Sequence, residues 1–201
     1  MRVIVTGGSG FIGTNLIEHL LIKPGIEVIN IDVLPPRNPE HHLYWNEVDI
    51  LNYSKLKEKL ESFSPTHIVH LAARTDLKGT SVNDYVANTK GVANIVRCCN
   101  ELPSLQRAIF ASSMLVCELG YIPADPNDYF PTTSYGESKV HGEKIVRNEI
   151  QNQDKWIIVR PTSLWGPWFD VPYKNFFDAV RAGYYMHPKG YDIERSYGFV
   201  F

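Results

Sequence analysis

The segment TGGSGFIG, from Thr6 to Gly13, restricts the possible folds of this chain more than any other feature. It follows an apolar run, Val3 to Val5, that predicts a buried strand, and it precedes residues 14–21, whose apolar positions have helical spacing. Glycine permits positive φ and has no Cβ to block a phosphate, while a helix N-terminus presents free N–H groups to an anion. The order strand, glycine turn and helix therefore predicts a phosphate-binding turn in an α/β protein.

Asp32 indicates which phosphate compound the turn would bind. It ends a second apolar strand, residues 28–31, and stands 19 residues after Gly13. A carboxylate at this place accepts a hydrogen bond from the adenosine ribose of a dinucleotide, which favours NAD over NADP. Arg37 could pair with a 2′-phosphate, but it follows two prolines and is interpreted as a solvated loop residue. The sequence Gly-Lys-Ser/Thr does not follow the glycines, so a nucleoside-triphosphatase loop has no support.

Composition is ordinary for a globular protein. The 201 residues are 44% hydrophobic and 21% charged, and a formal net charge of −2 gives no sign of a nucleic-acid or anionic-membrane partner. No apolar run approaches the roughly 20 residues needed to cross a bilayer. The first strand begins so close to Met1 that no signal peptide is expected, which predicts a cytoplasmic protein.

Cysteine and histidine give no metal-binding pattern. Cys98, Cys99 and Cys117 form an odd set without metal-ligand spacing, which is typical of buried free thiols in a reducing compartment. The seven histidines do not converge in sequence either, and zinc needs three or four ligands together. We therefore expect no metal.

Predicted strands and helices alternate along the chain. Beyond the first two strands, further strands are predicted near 44–48, 68–73, 107–111 and 156–160, with helices at 53–63, 82–100 and 134–151. Such alternation implies right-handed crossovers, and hence a Rossmann-type doubly wound parallel sheet with helices on both faces.

The character of the sequence changes after Pro161. Aromatic residues and prolines become dense, a helix is predicted at 175–182, and an apolar strand is predicted near 199–201. We assign residues 1–165 to a dinucleotide-binding domain and 166–201 to the beginning of a small substrate-binding domain. Because the chain ends inside an apparent strand, we expect part of that second domain to be missing.

Tyr135 and Lys139 are candidate catalytic residues. They are four apart on a predicted helix and so share one face, although an exposed pair is the simpler alternative. An ammonium beside a phenol lowers the pKa of tyrosine from its ordinary value near 10, and such a tyrosine exchanges protons with an alcohol or carbonyl. Ser112 and Ser113 close the preceding strand at the carboxyl edge of the sheet, where ligands bind in open α/β folds. A Ser113 hydroxyl there could orient the reacting oxygen.

Taken in order, these motifs resemble those of extended short-chain dehydrogenases/reductases of the NAD-dependent epimerase/dehydratase type. The motifs are Thr6–Gly13, Asp32, Asp49-Ile50, His70–Ala73, Asn88–Gly91, Ser112-Ser113, Tyr135–Lys139 and Arg160-Pro161. The resemblance covers essentially the whole chain. It implies tightly bound NAD and a nucleotide-sugar substrate held partly by a C-terminal domain. It also allows a homodimer that pairs the helices predicted from residues 82 and 134.

The resemblance implies a role for individual residues. Tyr135 would be the acid/base, Lys139 would bind the nicotinamide ribose, and Ser113 would bind the substrate oxygen. The implied cofactor-binding residues are Gly7, Gly10, Phe11, Ile12, Gly13, Asp32, Asp49, Ile50, Leu71, Ala72, Ala73, Asn88, Ser112, Tyr135, Lys139 and Pro161. The implied substrate-binding residues are Ser113, Met114, Tyr135 and Arg195.

Two departures from the family pattern narrow the range of activities that we expect. Met114 and Leu115 stand where dehydratases carry an Asp-Glu pair, and neither exchanges a proton, which disfavours dehydration. Cys117 and Glu118 replace a Tyr-Gly pair, which alters the expected sugar pocket. The leading hypothesis is an NAD-dependent epimerase acting through a transient keto intermediate. The alternatives are an NAD(P)-dependent sugar-nucleotide reductase or oxidoreductase, and a non-catalytic dinucleotide-binding fragment.

Overall fold

A computed structural model describes residues 1–169, 173–186, 190 and 197–200. Its main feature is a parallel sheet of six strands in the order β3-β2-β1-β4-β5-β6. The strands are β1 (Arg2–Thr6), β2 (Glu27–Asp32), β3 (Trp45–Glu47), β4 (His67–His70), β5 (Arg107–Ala111) and β6 (Trp156–Val159). The predicted Rossmann-type sheet is confirmed.

Helices cover both faces of this sheet. They are α1 (Phe11–Leu21), α2 (Tyr53–Phe63), α3 (Val92–Glu101) and α4 (Ser134–Glu149). Alternate residues of β1 point to opposite faces, so Val3 and Val5 pack with Ile17 of α1. Ile4 packs on the other face, in a cluster that includes residues of α2, α3 and α4. The three cysteines are buried, as expected.

The helix predicted at 82–100 is divided into three parts. A 3₁₀ turn at Val82–Tyr85 is followed by a π-helical turn at Ala87–Gly91, and α3 begins only at Val92. The π turn places Asn88 so that its buried side chain bonds the backbone of Arg74. Tertiary hydrogen bonding therefore accompanies the departure from regular helix, which apolar spacing does not reveal.

Strand β4 is shorter than predicted because the chain leaves the sheet after His70. Leu71 still donates its N–H to the Thr6 carbonyl at 2.9 Å, but the residues that follow turn across the carboxyl edge of the sheet. There the backbone of Ala72 lies so close to Gly7 that a Cβ on Gly7 would stand 2.5 Å from the Ala72 nitrogen.

The region after residue 162 forms separate elements. Strands β7 (Ser163–Trp165) and β8 (Tyr197–Phe199) pair in a two-stranded parallel sheet, and the predicted helix is found as α5 (Tyr173–Arg181). Residue 201, the end of the predicted last strand, lies outside the described residues, as does Arg195. Within the described ranges, no helix combines the length and the apolar character needed to cross a membrane.

The segment 167–169 packs against α1. Asn15 Nδ2 donates to the Pro167 carbonyl at 2.9 Å, and the Phe169 ring makes an edge contact with Phe11 at 4.9 Å between centroids. Trp168 has a φ of 64°, and its indole N–H donates to Glu18 at 3.0 Å. A bulky residue with positive φ is strained, so these contacts hold the segment in a conformation that the chain would otherwise avoid.

Candidate active site

The turn between β1 and α1 leaves no room for a side chain at Gly7 or Gly13. Gly7 has a φ of 73° and faces the Ala72 backbone, while a Cβ on Gly13 would meet the Gly7 carbonyl. Helix α1 starts at Phe11 after Gly10, and no side chain caps its N-terminus. Its first N–H groups are thus available to an anion approaching along the turn.

The carboxylate of Asp32 lies directly beside this turn. Its Oδ2 accepts from the Ser9 N–H at 3.1 Å, and its Oδ1 accepts from the Leu34 N–H at 3.0 Å. The structure therefore brings together the glycines and the acid that the sequence placed 19 residues apart. Arg37 is exposed, and its guanidinium donates to the Trp168 carbonyl at 3.0 Å.

Ser113, Tyr135 and Lys139 are buried together at the carboxyl edge of the sheet. Tyr135 and Lys139 are each only 8% exposed, which excludes the simple interpretation as a surface pair. The start of α4 approaches the turn after β5 so closely that a Cβ on Gly136 would meet the Leu115 carbonyl. This approach brings the Tyr135 phenol near enough to the Ser113 hydroxyl to influence its pKa.

The expected effect of Lys139 on Tyr135 is wrong for this structure. Burial raises the pKa of Tyr135, and the Ser113 hydroxyl only partly opposes that effect. The Lys139 ammonium instead donates to the Ala111 carbonyl at 2.9 Å and lies 6.0 Å from the Tyr135 ring centroid. Burial also lowers the pKa of Lys139 to about 8, against the raising effect of Glu143. Removal of both groups from water outweighs their proximity on the helix.

The Asn88 side chain bonds other parts of the protein at the sheet edge where the cofactor is predicted to bind. Its Nδ2 donates to the Arg74 carbonyl and to Ser138 Oγ, both at 2.9 Å, and its Oδ1 accepts from the Arg74 N–H at 2.9 Å. The amide thus ties the end of the segment Leu71–Ala73 to α4. The side chain has a positioning role that the sequence alone does not separate from direct ligand contact.

The other predicted site residues differ in their burial and in their neighbours. The Met114 N–H donates to the Pro161 carbonyl at 3.1 Å, so these two residues are neighbours. Asp49 is exposed and accepts from the Leu51 N–H, whereas Ile50 is buried beside Gly91. Arg195 lies outside the described residues, so its predicted role has no structural description.

A buried ion pair on α4 was missed by the sequence analysis. Glu143 is 2% exposed, and Arg160 donates to both of its oxygens at 2.8 Å. Tyr129 donates a further hydrogen bond at 3.0 Å. The available signal was spacing: Glu143 stands four residues after Lys139 and eight after Tyr135, on the same helix face.

The parallel sheet, the glycine turn with its acid, and the buried serine, tyrosine and lysine define a Rossmann-type protein that carries the sequence motifs of short-chain dehydrogenases/reductases. The chain belongs to the NAD dependent epimerase/dehydratase family, whose model matches residues 3–185. This match confirms the family recognised from the motifs.

Curated relatives include enzymes with different substrates. A 3-beta-hydroxysteroid dehydrogenase of Mycolicibacterium neoaurum is 29% identical, in an alignment covering 98% of this chain and 57% of the relative. A UDP-glucose 4-epimerase of Vibrio cholerae is 27% identical over 90% of this chain and 57% of the relative. The chain thus spans little more than half the length of these relatives.

Solved structures of similar fold contain NAD. The UDP-glucose 4-epimerase of Thermus thermophilus, in complex with NAD, is 26% identical with a TM-score of 0.79, covering 99% of this chain and 70% of that one. The Bordetella bronchiseptica enzyme WbmG, in complex with NAD, is 28% identical with a TM-score of 0.74. The match covers 91% of this chain and 60% of that one.

Proposed function

We propose that this chain binds NAD across the carboxyl edge of its six-stranded sheet. The fit rests on the glycine turn, where close backbone packing at Gly7 and Gly13 excludes side chains, on the uncapped N-terminus of α1, and on Asp32 beside it. The N-terminus of α1 would hold the pyrophosphate, Asp32 the adenosine ribose and Lys139 the nicotinamide ribose. The other cofactor residues implied by the motifs belong to the same proposal.

The chemistry proposed is the interconversion of a secondary alcohol and a ketone. When bound, NAD supplies hydride transfer. Tyr135 returns the proton as a phenol, or takes it as a phenolate, which the positive charge of bound oxidised nicotinamide would favour against the effect of burial. The Ser113 hydroxyl orients the same oxygen. The buried grouping of Ser113, Tyr135 and Lys139 is the observation that carries this function, because a protein that only bound a dinucleotide would not need an acid/base beside the reacting carbon.

The reaction we propose first is epimerisation of a nucleotide-activated sugar. The ketone would stay bound, and return of hydride to its opposite face would invert the centre. The UDP-glucose 4-epimerases among the relatives support this choice. Met114 and Leu115 also support it over dehydration, since the residues that follow Ser113 provide no group for removing water.

A dehydrogenase or reductase that releases its product is the second candidate. Met114 directly follows Ser113, its N–H donates to the Pro161 carbonyl and its sulfur accepts from the Thr162 hydroxyl. We propose that its thioether borders a substrate bound at Ser113. This apolar contact suits a less polar alcohol as well as a sugar. The hydroxysteroid dehydrogenases among the relatives support the same possibility.

Tyr135→Phe tests the proposed chemistry. In the protein as its gene encodes it, turnover should fall by about 10²–10⁴-fold because the proton carrier is lost. NAD binding, measured by calorimetry, should survive because the ring is retained. Tyr121→Phe, an exposed tyrosine bonded to Asp128, is the matched control and should keep full activity. Turnover close to wild type in Tyr135→Phe would contradict the assignment.

Absorbance at the wavelength of reduced nicotinamide separates the two candidate reactions. An epimerase retains its cofactor through dialysis and converts UDP-glucose to its epimer without accumulating NADH. A dehydrogenase accumulates NADH in proportion to the alcohol consumed. Failure of both nucleotide sugars and sterols to react, with NAD bound, would reduce the function to dinucleotide binding.

A further inference from the structure

The ion pair of Glu143 with Arg160 lies one helical turn beyond Lys139 on α4. Two hydrogen bonds from Arg160 and one from Tyr129 fix the carboxylate, and Arg147 adds a longer contact at 3.4 Å. Burial alone would raise the pKa of Glu143, but hydrogen bonds, chiefly those from Arg160, hold it below its ordinary value. A negative charge is therefore kept inside the protein close to the lysine of the site.

A small cavity is lined by both Glu143 and Lys139. It has a volume of about 20 Å³, and its wall includes Ser112, Lys139 and Glu143, as well as His70 and Asn88. That space accommodates one water molecule, which needs two to four polar partners. Ser112 Oγ is buried and, within the described part of the chain, has no hydrogen-bond partner of good geometry. The lining residues carry a hydroxyl, an ammonium and a carboxylate, which match in number and type the polar partners that such a water requires.

We propose that Glu143 is a positioning residue for Lys139, acting through one water molecule that bridges Glu143, Lys139 and Ser112. The water and the carboxylate keep the lysine protonated and directed toward the sheet edge beside Tyr135. The consequence for NAD rests on the proposed function, whereas the charge of Lys139 is a property of the protein alone.

The surroundings of Lys139 supply no other anion among the described residues. His70 is neutral, because burial lowers its pKa to about 3, and Tyr135 is a phenol whose pKa burial raises. On the far side of the carboxylate, Arg160, Arg147 and Tyr129 are cationic or neutral. Loss of the Glu143 charge would leave the buried ammonium without a counter-charge, and burial already holds the pKa of Lys139 at about 8.

The test is a titration of Lys139 followed by NMR in protein labelled with ¹³C at lysine Cε. Lys139→Arg identifies the resonance, and no cofactor is added. In Glu143→Gln we expect the pKa of Lys139 to fall by about one pH unit or more, the effect of removing a nearby opposite charge. The matched control is Glu137→Gln, an exposed glutamate two residues before Lys139 on the same helix, which should leave the titration unchanged.

Ser112→Ala gives an independent arm, because it removes one partner of the water and leaves the ion pair intact. The pKa of Lys139 should move in the same direction by a smaller amount. The proposal is overturned if Glu143→Gln moves the titration no further than Glu137→Gln. If Glu143→Gln does not fold, an unchanged titration in Ser112→Ala overturns it instead.

NAD binding distinguishes failure of this inference from failure of the proposed function. If both are right, the dissociation constant for NAD rises between pH 7 and 9 more steeply in Glu143→Gln than in wild type, because neutral lysine binds ribose hydroxyls less well. If no variant and no wild-type sample binds NAD, the cofactor proposal fails while the lysine titration still decides the role of Glu143.

Discussion

The six-stranded sheet and the region after residue 162 are both rich in apolar residues, yet they bury them very differently. Ile4, Ile31 and Ile68 in the sheet are 0% exposed, whereas Phe176 and Phe177 on α5 are 44% and 40% exposed. Strands β1, β2 and β4 contribute apolar residues to packed clusters on both faces of the sheet. In the later region, Trp165 of β7 instead packs on Phe199 of its partner strand β8, with 4.5 Å between the ring centroids. Apolar composition predicts burial only where a second layer covers the residue.

The largest expected difference between the two regions is in stability. Ile68→Ala removes a fully buried side chain and should lower the free energy of unfolding by about 2–5 kcal/mol. Phe177→Ala removes a half-exposed ring and should cost less than about 1 kcal/mol. Urea denaturation followed by circular dichroism measures both. Equal losses would mean that the aromatic region belongs to the same cooperative core.

Acid should weaken the sheet through His70, which bonds Thr6 at 2.7 Å in the core. Burial lowers the folded-state pKa of His70 from 6.5 to about 3. The unfolded chain therefore binds the extra proton between these values, and stability present above pH 6.5 is lost as the pH falls toward 3. By pH 4 the loss should be on the order of 3 kcal/mol.

The variant His70→Asn isolates the contribution of His70 to the loss of stability in acid. Burial also lowers the pKa values of His41 and His67, so wild-type unfolding has several sources of pH dependence. The difference in unfolding free energy between wild type and His70→Asn, measured at pH 7 and pH 4, belongs to His70. A pH-independent difference would show that the imidazole titrates normally and is accessible to water.

Alanine variants of Gly7 and Gly25 separate the effect of close packing on stability from that of backbone strain, and the expected difference is smaller. Gly7 and Gly25 have φ values of 73° and 74°, but a Cβ on Gly25 would have no atom within 4 Å. Gly7→Ala should therefore destabilise the protein by about 1–3 kcal/mol more than Gly25→Ala, because only the first also collides with the Ala72 backbone. Thermal denaturation of both variants measures the difference. Similar losses of stability in the two variants would mean that the positive φ, and not the collision with Ala72, causes the destabilisation.

Most of the sheet was predictable because its strands are short apolar runs between recognisable helices. The two ends of the predicted 82–100 helix were nearly right, but the π turn at Ala87–Gly91 depends on bonds from Asn88 to a segment 14 residues away. Strand β4 was predicted too long, since Leu71 and the alanines remain apolar after the chain leaves the sheet. Sequence periodicity does not report where hydrogen bonding between strands stops.

The site was predictable to the level of its motifs but not of its electrostatics. Spacing placed Tyr135 and Lys139 on one face and Asp32 near the glycines, and the structure agrees on each point. The sign of the Tyr135 pKa shift was wrong because burial is a property of the folded protein. Helical spacing puts Glu143 on the same face as Tyr135 and Lys139, but it does not show that the carboxylate is buried and pairs with Arg160.

The contact between Asn15 and Pro167 joins residues 152 positions apart, which has a consequence for the order in which the chain is built. The turn and Asp32 are both made within the first 32 residues, whereas the segment that packs on α1 is synthesised some 135 residues later. At roughly 5–20 residues per second, translation takes about 7–27 seconds to reach this segment after Asp32 has been made. We therefore expect the segment to dock last, because closing so long a loop repays its entropy only after the sheet has formed.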